Sequence, residues 1–118
     1  MSFFQGKNVL VTGGTGLIGR PLVEMLDNSG ANIRIVSLDT PTEMPARTEF
    51  ISADLREFAN CAEAVKDIEV VFHLAGVKGS PAMASQRPAS FMVPTVTFSF
   101  NMMEAARRAG IEHYLFTS

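Results

Sequence analysis

The sequence has few of the residues that build disulfides, metal centres or polyanion-binding surfaces. Its 118 residues include one cysteine, Cys61, and two histidines, so an internal disulfide and a zinc-type cluster are both excluded. Ten basic residues against 12 acidic ones give a net charge of −2, which excludes the basic surface typical of nucleic-acid binders. No apolar run is long enough for a membrane span or a secretory signal. We therefore expect a soluble protein of the reducing cytoplasm that binds neither nucleic acid nor membranes.

The composition is nevertheless that of a folded protein. Hydrophobic residues make up 47% of the chain and charged residues 19%, which favours one hydrophobic core over disorder. A chain of this length predicts a single domain, residues 1–118, and leaves no room for a separate substrate domain.

Short β-branched runs alternate with longer stretches of helical periodicity. The runs predict strands at residues 8–12, 33–38, 49–52, 69–74 and 113–117, and the stretches between them predict helices ending near Gly30, over 57–65 and over about 88–109. This alternation is typical of an α/β protein whose parallel sheet is covered by helices on both faces. We expect the strand order 3-2-1-4-5, with a ligand crevice at the carboxyl ends of the first and fourth strands.

Helical spacing also predicts which side chains are buried. Cys61 shares a face with apolar neighbours, so it is expected to be a core residue rather than a reactive thiol. Both Met102 and Met103 are assigned to the core, and Pro94 is expected to kink the long helix or split it in two. The stripe predicted to be buried on that helix consists of Val96, Phe100, Met103 and Ala106.

A glycine-rich segment, Thr12-Gly13-Gly14-Thr15-Gly16-Leu17-Ile18-Gly19, lies between the first strand and the first helix. Gly13 would allow a tight turn, Gly16 would let a pyrophosphate approach the backbone, and Gly19 would let helix and strand pack closely. Unpaired N–H groups at the helix start would then face the phosphates. The segment predicts a Rossmann-type dinucleotide site, with Thr15, Leu17 and Ile18 as further contacts; the alternative is a purely structural turn.

Asp39 lies at the end of the second predicted strand, twenty residues after Gly19. A carboxylate there can accept hydrogen bonds from both ribose hydroxyls and would repel a 2′-phosphate, so NAD is expected rather than NADP. The alternative is a solvated acid at the strand end.

Three further segments carry a family resemblance: Asp54-Leu55-Arg56, His73-Leu74-Ala75-Gly76-Val77-Lys78 and Asn101-Met102-Met103-Glu104-Ala105-Ala106. Together with the glycine segment, they make the whole chain resemble the extended short-chain dehydrogenase/reductase family, the NAD-dependent sugar-nucleotide epimerases and dehydratases. The resemblance implies that Asp54 lies near the adenine amine and Leu55 against the ring. It also implies that Leu74, Ala75, Gly76 and Lys78 line the ribose on the nicotinamide side.

Some of these positions have other interpretations, and some depart from the family pattern. Asp54 could instead cap the following helix, and His73 is expected to be a hydrogen-bonded core residue rather than an acid or base. The family's Asn-Val-x-Gly-Thr is replaced by Thr95-Val96-Thr97-Phe98-Ser99. Within the family, Gly76 and Lys78 are similar to UDP-galactose 4-epimerases, whereas residues 88–91 and Phe98 are similar to GDP-fucose synthases.

The family's catalytic Tyr-x-x-x-Lys pair is absent from this sequence. The only tyrosine, Tyr114, is followed four residues later by Ser118 and lies in a predicted strand, so no catalytic residue is assigned. We expect the NAD-binding portion of an epimerase or dehydratase, cut off after the fifth strand and inactive alone. Its parent would transfer hydride between a nucleotide sugar and NAD. The alternatives are a stand-alone NAD(P)-sensing module and a half completed by another polypeptide, and the exposed edge of the fifth strand suggests a homodimer.

Overall fold

The computed structural model describes residues 3–13, 19–38, 44–45, 47–74 and 88–116. Within these ranges, five parallel strands form one sheet in the order β3-β2-β1-β4-β5, as predicted. No helix in the same ranges is long and apolar enough to cross a membrane. The elements are β1 (Asn8–Thr12), α1 (Gly19–Asn28), β2 (Asn32–Ser37), β3 (Glu49–Ser52), α2 (Phe58–Ala64), β4 (Val70–His73), α3 (Pro88–Ala109) and β5 (His113–Phe116).

The central strand β1 is buried on both faces, and its side chains alternate between two hydrophobic clusters. Leu10 packs in a cluster with residues of α2 and α3, whereas Val9 and Val11 pack in a second cluster with residues of α1. Successive side chains of a strand point to opposite faces of its sheet. Helices therefore cover both faces, which is the layered arrangement predicted from the sequence.

Glycines end two of the helices at the predicted positions. Gly30 follows α1 with φ of +84°, and its N–H donates to the carbonyl of Asp27 at 3.0 Å. Gly110 follows α3 with φ of +75°. Glycine adopts this left-handed conformation without the steric cost that a Cβ adds, so both ends are fixed locally.

The long helix α3 differs from its prediction in two respects. It runs unbroken from Pro88 to Ala109, so of the kink or split expected at Pro94, the split does not occur. The predicted buried stripe is also wrong at two of its positions, because Phe100 is 69% exposed and Met103 is 46% exposed, whereas Ala106 is buried as predicted. From residue 97 onward, where the side chains of α3 are described, the buried ones are Phe98, Met102, Ala105 and Ala106.

The physical reason for this error is that α3 carries large apolar residues both on its buried side, Phe98 and Met102, and on its exposed side, Phe100 and Met103. Periodicity alone then cannot select the buried face. The choice is made by packing against α2 and β4, where Phe98 and Met102 join the cluster that contains Leu10 and Cys61.

Helix α2 is held at both its buried face and its carboxyl end. Cys61 is fully buried, as predicted, and burial raises the pKa of its thiol to about 11. Arg34 of β2 donates from one guanidinium nitrogen to the carbonyls of Ala64 and Lys66, both at 2.8 Å, and from Nε to Glu49 at 2.7 Å. The guanidinium thus caps the end of α2, where carbonyls lack helical partners.

Candidate functional site

The carboxyl ends of β1 and β4 lie side by side in the middle of the sheet. Thr12, the last residue of β1, is in register with Val36 of β2 on one side and with His73 of β4 on the other. The order of strands reverses at this point, and doubly wound sheets bind ligands in the crevice formed there.

Two ends of the glycine-rich segment belong to the described residues. Gly13 follows β1 directly with φ of +74°, and its N–H donates to the carbonyl of Val36 at 3.3 Å. Gly19 is buried and begins α1, the ten-residue helix that packs against β1 and β2. The described ends of the segment are thus a left-handed residue directly after β1 and a buried glycine at the start of a helix that packs against β1 and β2.

His73 joins β1, β4 and α3 at the base of the crevice. Its Nδ1 lies 2.8 Å from Thr12 Oγ1, and its Nε2 lies 3.3 Å from Ser99 Oγ. The ring is 2% exposed, and this burial lowers the pKa of His73 to about 4. His73 is therefore a neutral, hydrogen-bonded core residue at neutral pH, which confirms the sequence interpretation.

Leu74 continues from β4 along the end of β1. Its N–H lies 3.0 Å from both the carbonyl oxygen and Oγ1 of Thr12, and its half-buried side chain packs on the core cluster of Val9 and Val11. Leu74 is the first residue of the segment predicted to line the ribose on the nicotinamide side, and it lies beside the end of β1 at the crevice.

Asp54 lies in the turn after β3, and Arg56 engages its carboxylate. Oδ1 accepts the backbone N–H of Arg56 at 2.9 Å, and Oδ2 accepts a guanidinium N–H at 2.7 Å. These hydrogen bonds hold the pKa of Asp54 below its usual value. The alternative role as a helix cap is wrong, because the N-cap of α2 is Glu57, which forms no side-chain capping bond.

Leu55 has little surface left for a ligand ring. It is 4% exposed and packs in the cluster with Cys61, Phe98 and Met102. The predicted contact of its side chain with adenine stays a prediction. The turn that contains Leu55 is held by hydrogen bonds to its backbone.

Two asparagines that contact this turn were not predicted as site residues. Asn60 of α2 donates to the carbonyl of Asp54 at 2.9 Å, and Asn101 of α3 donates to the carbonyls of Leu55 and Arg56, both at 3.0 Å. For Asn101, the only sign in the sequence was a single amide next to Met102 in an apolar stretch of the helix. Its partners are 45 and 46 residues away, so the contact could not be predicted from local spacing.

The remaining predicted site residues lie outside the described part of the chain. β2 ends at Ser37, and the proposed ribose-binding carboxylate follows it. The predicted site residues outside the described ranges are Thr15, Gly16, Leu17, Ile18, Asp39, Ala75, Gly76 and Lys78.

The positions that depart from the family pattern have structural roles where their side chains are described. Phe98, which replaces a glycine, is a buried core residue. Tyr114 is half-buried in β5 and stacks on His73 with ring centroids 6.3 Å apart, and burial raises its pKa to about 12. Tyr114 is therefore a packing residue of the sheet, as predicted. The backbone of Thr95 lies within α3, and its side chain is outside the described part.

A cavity of about 320 Å³ lies away from this crevice, at the amino ends of the strands. It is lined by residues that precede β1, β4 and β5, among them Lys7, Glu69 and Glu112. Among the residues that the structure describes, no group of three or more His, Cys, Asp or Glu side chains could hold a metal ion.

Comparison with known proteins gives both sequence relatives and structural neighbours. The chain is 35% identical over 117 residues to a 3 beta-hydroxysteroid dehydrogenase/Delta 5-->4-isomerase of Mycobacterium tuberculosis, covering 93% of this chain and 31% of that protein. It is 30% identical over 115 residues to GDP-mannose 3,5-epimerase 1 of Oryza sativa subsp. indica, covering 93% of this chain and 30% of that protein. The chain thus spans about a third of the length of the relatives it matches.

The fold is similar to that of a solved structure. A UDP-glucose-4-epimerase of Stenotrophomonas maltophila, solved with bound NAD and formylated UDP-arabinopyranose, superposes with a TM-score of 0.80 at 27% identity, covering 95% of this chain and 37% of that one. The sequence model of the NAD dependent epimerase/dehydratase family matches residues 9–118. Because this match includes nearly the entire sequence, the chain belongs to the NAD-dependent epimerase/dehydratase family.

Proposed function

We propose that this chain binds NAD in the crevice at the carboxyl ends of β1 and β4, as the cofactor-binding part of an NAD-dependent nucleotide-sugar epimerase or dehydratase. The observation that carries the proposal is the left-handed backbone of Gly13 directly after β1, together with a helix that begins at buried Gly19 beside the switch point of the sheet. Backbone N–H groups in this arrangement suit a pyrophosphate.

The described residues fit the two ends of a dinucleotide. On one side of β1, the carboxylate of Asp54 can accept a hydrogen bond from the adenine amine. On the other side, Leu74 begins the segment assigned to the nicotinamide ribose, and the sequence adds Asp39 for the adenine ribose. When bound, NAD supplies the hydride acceptor, and this chain holds and orients it.

The nucleotide-sugar substrate is proposed for the whole protein of which such a chain is part. It is supported by the Stenotrophomonas epimerase, which was solved with a UDP-sugar, and by the GDP-mannose epimerase of rice. The name of the mycobacterial relative gives a 3β-hydroxysteroid instead. Competition between UDP-glucose and a 3β-hydroxysteroid for the NAD-loaded full-length protein separates the two classes, and preferential binding of the steroid would reject the sugar proposal.

A calorimetric titration with NAD and NADP tests the cofactor. We expect saturable binding of both with higher affinity for NAD, because the Asp39 carboxylate repels a 2′-phosphate. Asp39→Ala should reduce the ratio of the two affinities, whereas the control Glu63→Ala, on the exposed face of α2, should leave it unchanged. Absence of binding to either nucleotide would refute the proposal, and a preference for NADP would refute the role of Asp39.

A sensing module without catalysis is the second candidate. The reading frame after Ser118 distinguishes the two, since a Tyr-x-x-x-Lys roughly 25 to 35 residues further on would identify an enzyme. The homodimer through the edge of β5 also stays a prediction. Sedimentation at high protein concentration tests it, and a monomer would contradict it.

A further inference from the structure

The turn Asp54–Arg56 is held from the protein side by side-chain amides of two different helices. Its three successive carbonyls each accept a hydrogen bond from an asparagine: Asp54 from Asn60 of α2, and Leu55 and Arg56 from Asn101 of α3. The Leu55 carbonyl also lies 3.4 Å from the thiol of Cys61. Each carbonyl of this turn is thus hydrogen-bonded to a side chain of α2 or α3.

Peptide planarity carries this attachment to the solvent side of the turn. In a trans peptide the C=O of one residue and the N–H of the next point in opposite directions. Because Asn101 holds the C=O of Leu55, it also fixes the direction of the Arg56 N–H. That N–H donates to Asp54 Oδ1 at 2.9 Å, so the position of the Asp54 carboxylate depends on the Asn101 amide.

The Asp54 carboxylate is partly accessible to a ligand. The Asp54 side chain is 27% exposed, and the Arg56 side chain that pairs with it is 58% exposed. Side chains of this kind change rotamer readily in water, so the ion pair alone would not fix the direction of the carboxylate. The backbone N–H of Arg56 can fix it, since Asn101 holds its peptide.

We propose that Asn101 is a positioning residue for adenine recognition, acting through the peptide between Leu55 and Arg56 to orient the Asp54 carboxylate. The inference rests on the proposed binding of NAD and extends it to a residue of α3 that need not touch the cofactor. The selectivity for the base, which the Asp54 carboxylate provides, would then depend on one residue of α3.

The test compares the affinity of the full chain for NAD with that for nicotinamide hypoxanthine dinucleotide, in which the adenine amine is replaced by a carbonyl. The wild-type chain should prefer NAD. Asn101→Asp keeps the shape of the side chain but places a carboxylate against two carbonyl oxygens, so it should reduce the ratio of affinities by about three- to tenfold, the value of one ordinary hydrogen bond. Asn101→Ala, which adds no charge, should reduce it as well.

Asn8→Asp is the matched control. Asn8 also donates its amide to a backbone carbonyl, that of Asp67 at 2.9 Å, but it lies at the amino end of β1, opposite the crevice. A merely structural role of Asn101 would lower the affinity for both nucleotides by the same factor and leave their ratio intact. Circular dichroism on each variant identifies those that are folded before titration.

The outcomes separate this inference from the proposed function. If the wild-type chain binds neither nucleotide, the proposed function fails. If it binds both equally, or if folded Asn101 variants keep the wild-type ratio, the positioning role is wrong although NAD binding stands. A reduced ratio in both Asn101 variants, with the ratio unchanged in Asn8→Asp, supports the proposal.

Discussion

Buried His73 makes the stability of this protein depend on pH in a window set by one side chain. Burial lowers the pKa of His73 from 6.5 to about 4, so the folded state disfavours the protonated ring. As pH falls below 6.5 the unfolded chain takes up a proton that the folded chain does not. The free energy of unfolding therefore decreases between pH 6.5 and about pH 4, and this contribution is constant below that range.

The magnitude follows from the width of the window. Each pH unit in which the two states differ by one proton changes the free energy by about 1.36 kcal/mol. Between pH 7 and pH 5 the loss is thus about 2 kcal/mol. Glu104 contributes below this interval, since hydrogen bonds from Arg107 and Arg108 lower its pKa from 4.5 to about 2. Because protonation of Glu104 in the unfolded chain begins only as the pH approaches 4.5, most of the change between pH 7 and pH 5 belongs to His73.

Urea unfolding at pH 7 and pH 5, followed by circular dichroism, measures this loss. His73→Gln removes the titrating ring while keeping an amide between Thr12 and Ser99, so its stability should change by about 2 kcal/mol less than that of the wild type over the interval. Ser99→Ala is the control, because it removes the hydroxyl near Nε2 but leaves the ring, and it should retain the wild-type dependence on pH. Equal losses in wild type and His73→Gln would refute the argument.

Two further substitutions test the packing of α2 and α3. Arg34→Ala removes the cap on the carbonyls of Ala64 and Lys66 and should destabilise by about 2 kcal/mol in thermal or urea unfolding. The exposed Lys66→Ala should cost less than about 0.5 kcal/mol, and equal effects would contradict the capping role. Met102→Ala should cost about 3 kcal/mol because Met102 is fully buried. Met103→Ala should cost less than about 0.5 kcal/mol, and the reverse order would show that the helix faces are misassigned.

The sheet could be predicted from the sequence because its determinants are local. The apolar run that forms β1 stands out from its polar neighbours, and glycines at positions 13, 30 and 110 adopt positive φ, which few other residues tolerate. Where a helix joins consecutive strands, right-handed crossovers leave few possible topologies. The order 3-2-1-4-5 followed from these features.

The candidate site could be predicted only where its residues act through the backbone near their own position in sequence. Gly13 and Gly19 are such residues for the backbone after β1 and at the start of α1, while their contact with a dinucleotide stays a prediction. Asn101 is not, since its role depends on a turn 45 and 46 residues away, and no local pattern encodes that distance. The cap of α2 by Arg34 was missed for the same reason, because the charge lies on β2 and the carbonyls lie 30 and 32 residues later.

The orientation of α3 about its own axis determines which residues its polar side chains reach. Successive residues of a helix are separated by about 100°, so Ser99 and Asn101 lie on opposite flanks of the stripe formed by buried Phe98 and Met102. Ser99 consequently reaches His73 at the end of β4, and Asn101 reaches the turn after β3. If the predicted stripe of Phe100 and Met103 were buried instead, the helix would be turned by roughly half a revolution, and both polar contacts would be lost. Phe98, the residue that departs from the family's glycine, therefore supports the site, because its burial helps to fix the rotation that directs both side chains.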